Sequence, residues 1–110
     1  MTFDEYQAKA KTTALHYDDP TLDKTIMALG VAGEAGEVAD KWKKIVGYHD
    51  GVVTPEDIAE LNKEIGDVLW YLALLSDRLG LSFEEVAQTN LAKLARRHEL
   101  GIIKGKGDNR

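Results

Sequence analysis

Apolar positions recur at helical spacing in four stretches of this chain, each bounded by residues that start or stop helices. In the first, Phe3, Tyr6, Ala10, Thr13 and Tyr17 trace a narrow stripe behind Thr2-Phe3-Asp4-Glu5, a capping box. That helix should end near Leu15, ahead of Asp18-Asp19-Pro20. The second, about 21–46, carries Val31, Ala35, Val38 and Trp42 on one arc and is broken by Gly47-Tyr48-His49-Asp50-Gly51. Thr54 as N-cap and Pro55 at the first helical position open the third, about 55–79, which Gly80 closes. With Leu61, Ile65, Val68 and Leu72 it is the most apolar, so it is expected to be the buried one. Ser82-Phe83-Glu84-Glu85, a second capping box, opens a fourth helix on which Asn90, Lys93 and Arg97 form one stripe next to the apolar Ala87, Leu91 and Leu94. The pattern predicts an all-α fold, an antiparallel four-helix bundle.

The polar positions beside these stripes are less ordinary. E-A-G-E at 34–37 and E-I-G-D at 64–67 are two acid pairs at i,i+3, which places both carboxylates of a pair on one helix face. Each pair borders its helix's apolar arc instead of sitting opposite it. Glu37 lies 9 residues before Val46 and Glu64 lies 9 after Pro55, while Glu34 and Asp67 each lie 12 from the same ends. At about 1.5 Å per residue, an antiparallel hairpin sets Glu37 level with Glu64 and Glu34 level with Asp67. Either pair alone would pass for a solvated helix face. Four carboxylates converging at one height repel unless a divalent cation lies among them, and hard oxygen ligands suit Mg²⁺ or Mn²⁺. A ferritin-like di-iron site is excluded, since His16, His49 and His98 each have a non-acidic residue three positions earlier.

Neighbours on the same stripes extend the candidate site. Lys41 follows Glu37 by one turn and can serve either a Glu37 ion pair or a phosphate. Tyr71 mirrors it after Asp67, and Trp42 fits the core or, at the rim, could stack on a base. Gly30, Gly33, Gly36 and Gly66 each cost about 1 kcal/mol inside a helix, which close approach of another helix or a ligand would justify.

The E-x-x-E and E-x-x-D pairs, with G-E-A-G-E-V-A-D-K-W-K-K around the first, resemble the all-α nucleotide pyrophosphohydrolases of the MazG-like branch over roughly residues 22–110. The resemblance implies a Mg²⁺-dependent enzyme that cleaves nucleoside triphosphates to the monophosphate and pyrophosphate. It also implies that Glu34, Glu37, Glu64 and Asp67 are metal ligands and catalytic acids. The run N-x-x-K-L-x-x-R (Asn90, Lys93, Arg97) is similar to the family's phosphate-side helix, and G-K-G-D-N-R at 105–110 to its ending. A phosphoribosyl-ATP pyrophosphohydrolase or a dimeric dUTPase would share the acid scaffold. A non-enzymatic helical adaptor would make the acids mere solubility.

The whole chain is consistent with this. Its 110 residues suit one domain, 1–110, with 101–110 a flexible basic tail expected to order over bound nucleotide. Residues 93–110 hold a net charge of +4 and residues 1–92 a net charge of −9. An acidic body with a basic end suits a metal site facing phosphate-binding groups and argues against a nucleic-acid surface. There is no cysteine, no apolar run long enough for a membrane and no targeting pattern at the start, so a cytoplasmic setting is expected. The apolar faces of helices two and three look too wide for one small monomer, so a homodimer or homotetramer is expected.

Overall fold

In the computed structural model, residues 1–101 are described, and their regular structure is helical throughout. The elements are α1 (Phe3–Lys11), α2 (Pro20–Tyr48), α3 (Pro55–Arg78) and α4 (Phe83–Leu100). The expected tail, 102–110, lies outside the described residues.

Local chemistry accounts for the helix ends. Thr2 and Thr54 each form a complete capping box, with Glu5 and Asp57 as the returning acids. Asp19 caps α2 by accepting from the N–H groups of Thr21 and Leu22, ahead of Pro20. Ser82 accepts from Glu85 N–H without the return bond from its own N–H to the Glu85 side chain, so the second box is only half made, and its hydroxyl donates to the Asp4 carboxylate at 2.8 Å. α1 stops at Lys11, short of Leu15. The hydroxyls of Thr12 and Thr13 bond back to the Lys9 and Ala10 carbonyls as the chain leaves the helix axis. α2 runs to Tyr48, two residues past the expected break. Gly51, Gly80 and Gly101 carry positive φ at the three C-terminal turns, a conformation glycine adopts without a Cβ penalty.

α3 is the central helix, packed against α1, α2 and α4. α2 lies antiparallel along it, and Met27, Leu74 and Ala10 form the buried cluster where α1, α2 and α3 meet. α1 runs parallel to α3: Gln7 Nε2 donates to Ala73 O at 3.1 Å, and one turn on Lys11 Nζ meets Asp77 at 3.2 Å. α4 is fastened by its first turn. Glu84 N–H donates to Asp4, Phe3 N–H donates to Glu84, and Phe83 N–H donates to Gln7 Oε1. Among the described residues no Cα of α4 comes within 8 Å of one in α2, so the bundle is open on that side. The Cα radius of gyration, 16.9 Å, exceeds the roughly 13 Å of a compact chain this long.

The α1–α2 connection is held by Asp23, which is buried. Burial alone would raise its pKa. The Tyr17 N–H and the Arg78 guanidinium, whose Nε donates to it at 2.7 Å, bring it below the ordinary aspartate range. Arg78 also donates to Asp77 and to Leu15 O, so one side chain ties the α1–α2 connection and the first turns of α2 to the end of α3. No helix of the described residues is long and apolar enough to cross a membrane.

Candidate functional site

The α2–α3 hairpin keeps one register along its length. Met27 packs with Leu74, Gly30 faces Tyr71, Glu34 meets Asp67, and Lys41 meets Glu60, each step forward on α2 matched by a step back on α3. This is the register obtained by counting from Val46 and Pro55. The two extra residues of α2 overhang the turn without shifting it.

At mid-hairpin, carboxylate oxygens of Glu34, Glu64 and Asp67 lie within 4.8 Å of one another. Glu34 and Glu64 are half-buried and Asp67 is exposed. Burial, and then the negative charges of Asp67, Glu64 and Glu37, raise the Glu34 pKa above the ordinary glutamate range. The spacing fits a hard cation: oxygens held about 2.1 Å from Mg²⁺ are at most about 4.2 Å apart, a small closure from the observed arrangement.

Glu37 stands outside this group of three. It is exposed and lines a neighbouring polar pocket of about 300 Å³ with Lys41, Lys44, Tyr48, His49 and Asp57. Its charge still reaches Glu34. Lys41 does not form the Glu37 pair that its own helix offers. It crosses to α3 instead, with Nζ 3.4 Å from Glu64 and 3.6 Å from Glu60. Glu60 was missed in the sequence, although it precedes Glu64 by one helical turn and so lies on the same stripe.

Tyr71 forms the floor of the hairpin beside the acids. A Cβ on Gly30 would lie 2.7 Å from its Cγ and closer still to the ring edge, so only glycine lets α2 approach here. Trp70 meets Tyr71 edge-on, with centroids 5.0 Å apart. Gly33, Gly36 and Gly66 have nothing within 4 Å of an added Cβ among the described residues, so no neighbour there explains them. Trp42 is 47% exposed and is not a core residue of this chain. On α4, Asn90 is exposed, Lys93 half-buried and Arg97 buried at 4%, on a helix that leans on α1 and α3 and does not reach α2. Tyr6, from α1, is a further neighbour that no spacing in the sequence indicates. Burial and the negative charge of Asp67 both raise its pKa.

The other side of the hairpin is apolar. Ala35, Val38, Ile65, Val68, Leu69 and Leu72 line an open groove of about 350 Å³, with Ile65 56% and Leu72 38% exposed.

The model of the MazG nucleotide pyrophosphohydrolase domain matches residues 23–101. The chain belongs to the MazG family. The match takes in almost all of α2 together with α3 and α4, including all four candidate acids, and leaves α1 outside. The chain is also 42% identical to the Gene 37 protein of Mycobacterium phage L5 over 114 aligned residues, covering all of both chains. No solved structure matches it. Nucleotide pyrophosphohydrolase chemistry is therefore the activity of the family to which this domain belongs.

Proposed function

We propose that this MazG domain is a Mg²⁺-dependent nucleoside triphosphate pyrophosphohydrolase, converting NTP or dNTP and water to the monophosphate and pyrophosphate. The observation that carries the reading is the convergence of Glu34, Glu64 and Asp67 from two helices, inside the segment that matches the family. These three hold the divalent ion, Mg²⁺ or Mn²⁺. Glu37, beside them and exposed, is a fourth ligand or takes the proton of the attacking water. When bound, the ion neutralises phosphate charge and increases the acidity of water. Water attacks the α-phosphorus, the bond to the bridging oxygen breaks, and pyrophosphate leaves.

Lys41 is held by Glu60 and Glu64 at distances long enough to be exchanged for a phosphate oxygen. Tyr71 and Trp42 border the nucleotide. Asn90, Lys93 and Arg97 serve the pyrophosphate side, where a guanidinium can grip two oxygens at once. The tail at 102–110 contributes further positive charge.

A second copy of the chain covers the apolar groove, giving a homodimer or homotetramer. Monomers rarely leave such a face to water. Gly33 and Gly36, which no neighbour among the described residues explains, fit close approach by that copy or by the nucleotide. The test is pyrophosphate release from a panel of ribo- and deoxyribonucleoside triphosphates, including dUTP and phosphoribosyl-ATP, with Mg²⁺ and with EDTA. Release that requires the metal and is lost in Glu64→Gln supports the reading. A protein inert towards the whole panel would be a helical adaptor instead.

A further inference from the structure

We propose that Glu60 is a positioning residue that keeps the Lys41 ammonium beside the acid site, where it meets the phosphate chain of the substrate. The inference rests on the reading of Lys41 as a phosphate contact.

Lys41 reaches from α2 to two carboxylates that stand one turn apart on α3. Its Nζ lies 3.4 Å from Glu64 Oε1 and 3.6 Å from Glu60 Oε2, so the two acids share it almost equally. The other oxygen of Glu60, Oε1, accepts from Lys63 Nζ at 2.9 Å, a second cation that holds the carboxylate in place. Lys63, Glu60, Lys41 and Glu64 thus form a chain of alternating charge. Side-chain exposure falls along it from 69% at Lys63 to 20% at Glu64, which is one of the three converging acids. Lys41, Glu60 and Glu64 also line the polar pocket of about 300 Å³ beside those acids, so the ammonium is open to an anion entering there.

The two partners of Lys41 differ in what else they hold. Glu64 converges with Glu34 and Asp67, and a divalent ion on that group repels an ammonium and weakens its hold on Lys41. Lysine is a compact charge on a flexible four-carbon stem, so a lysine with no other anchor would swing into solvent. Glu60 lies one turn farther from the acids, outside their group, and keeps its charge for Lys41. It therefore holds the ammonium one carboxylate away from the ion.

Charge alone and positioning predict opposite signs for Glu60→Gln. Removing a negative charge beside an anion site should strengthen anion binding by electrostatics alone. Removing the anchor of Lys41 should weaken it. Glu60 is half exposed, so its replacement by glutamine should leave the fold intact, which circular dichroism checks. Inorganic tripolyphosphate, a probe without a base, is titrated calorimetrically in excess Mg²⁺ into wild type, Glu60→Gln, Lys41→Gln and the double variant. The expected result is binding about 5-fold weaker in Glu60→Gln, the upper end for a partly exposed ion pair, and at least as weak in Lys41→Gln. The double variant should bind as Lys41→Gln alone, because Glu60 acts through Lys41. Glu60→Gln binding as tightly as wild type or more tightly, while Lys41→Gln is weakened, overturns the proposal and leaves the phosphate role of Lys41 standing. A full loss from Glu60→Gln on top of Lys41→Gln does the same. A wild type that does not bind the probe, or a Lys41→Gln that binds as wild type does, overturns the reading of Lys41 and the proposal with it.

Discussion

Gly30→Ala is a sharp test of the hairpin, because two opposing effects of known size meet at one atom. Inside a helix, alanine is more favourable than glycine by about 1 kcal/mol. At Gly30 the added methyl would fall within the Tyr71 ring, 2.7 Å from Cγ and nearer to the ring edge. Tyr71 cannot simply turn away, since it is half-buried, packs against the core cluster and is met edge-on by Trp70. Overpacking of this kind costs about 1–3 kcal/mol, so the net change should be a loss of about 1 kcal/mol. For a domain of this size that lowers the melting temperature by about 4–8 °C. Gly66→Ala on α3 is the control, because nothing lies within 4 Å of its Cβ and it should gain from helix propensity alone. Both variants and wild type are melted by circular dichroism, without metal and at one protein concentration, since assembly would make the midpoint concentration-dependent. Gly30→Ala should melt below wild type and Gly66→Ala at or above it. A Gly30→Ala protein as stable as Gly66→Ala would mean that α2 and α3 do not approach as described, and the acid register would fall with them.

Other consequences follow from the same contacts. Because the Glu34 pKa is raised in the folded protein, its contribution to metal-free stability is fully present below the ordinary glutamate range and is lost as pH rises through the raised value. Glu34→Gln should therefore flatten the fall in melting temperature over that interval in EDTA, and an unaltered pH profile would contradict the crowding of the acids. Gln7→Leu removes the partner of Ala73 O, Leu81 O and Phe83 N–H, so it should destabilise by about 3 kcal/mol or more in chemical denaturation. A loss under 1 kcal/mol would mean that water replaces the side chain. Ile65→Lys and Leu72→Lys put charge on the apolar groove and should reduce the mass measured by light scattering to that of one chain. An unchanged mass would place the contact between copies elsewhere.

What the sequence made legible was mostly local. Caps, glycine stops and apolar periodicity are encoded within a few residues of each helix end, so all four helices were readable, with errors of up to about four residues at their ends. The pairing of Glu34 with Asp67 was readable because a tight hairpin ties height to residue count. The rest depended on choices made across helices. Lys41 had an acid on its own helix and another opposite, and only packing selects Glu60 and Glu64. Glu37 is level with the cluster by count but is exposed and lines the neighbouring pocket instead. The placement of α1 on α3 is set by Gln7 and the first turn of α4, more than sixty residues away in the chain. The width of the apolar faces was legible as an excess without revealing which surface carries it.

Phosphorus NMR of a single turnover mixture tests the central claim most directly. Wild type, Glu64→Gln and Asp67→Asn are each incubated with a nucleoside triphosphate and Mg²⁺, and with EDTA in place of the metal. The account predicts paired resonances of nucleoside monophosphate and pyrophosphate from wild type with Mg²⁺, and intact triphosphate in every other sample. Nucleoside diphosphate with orthophosphate, or equal turnover by wild type and the acid variants, would contradict it.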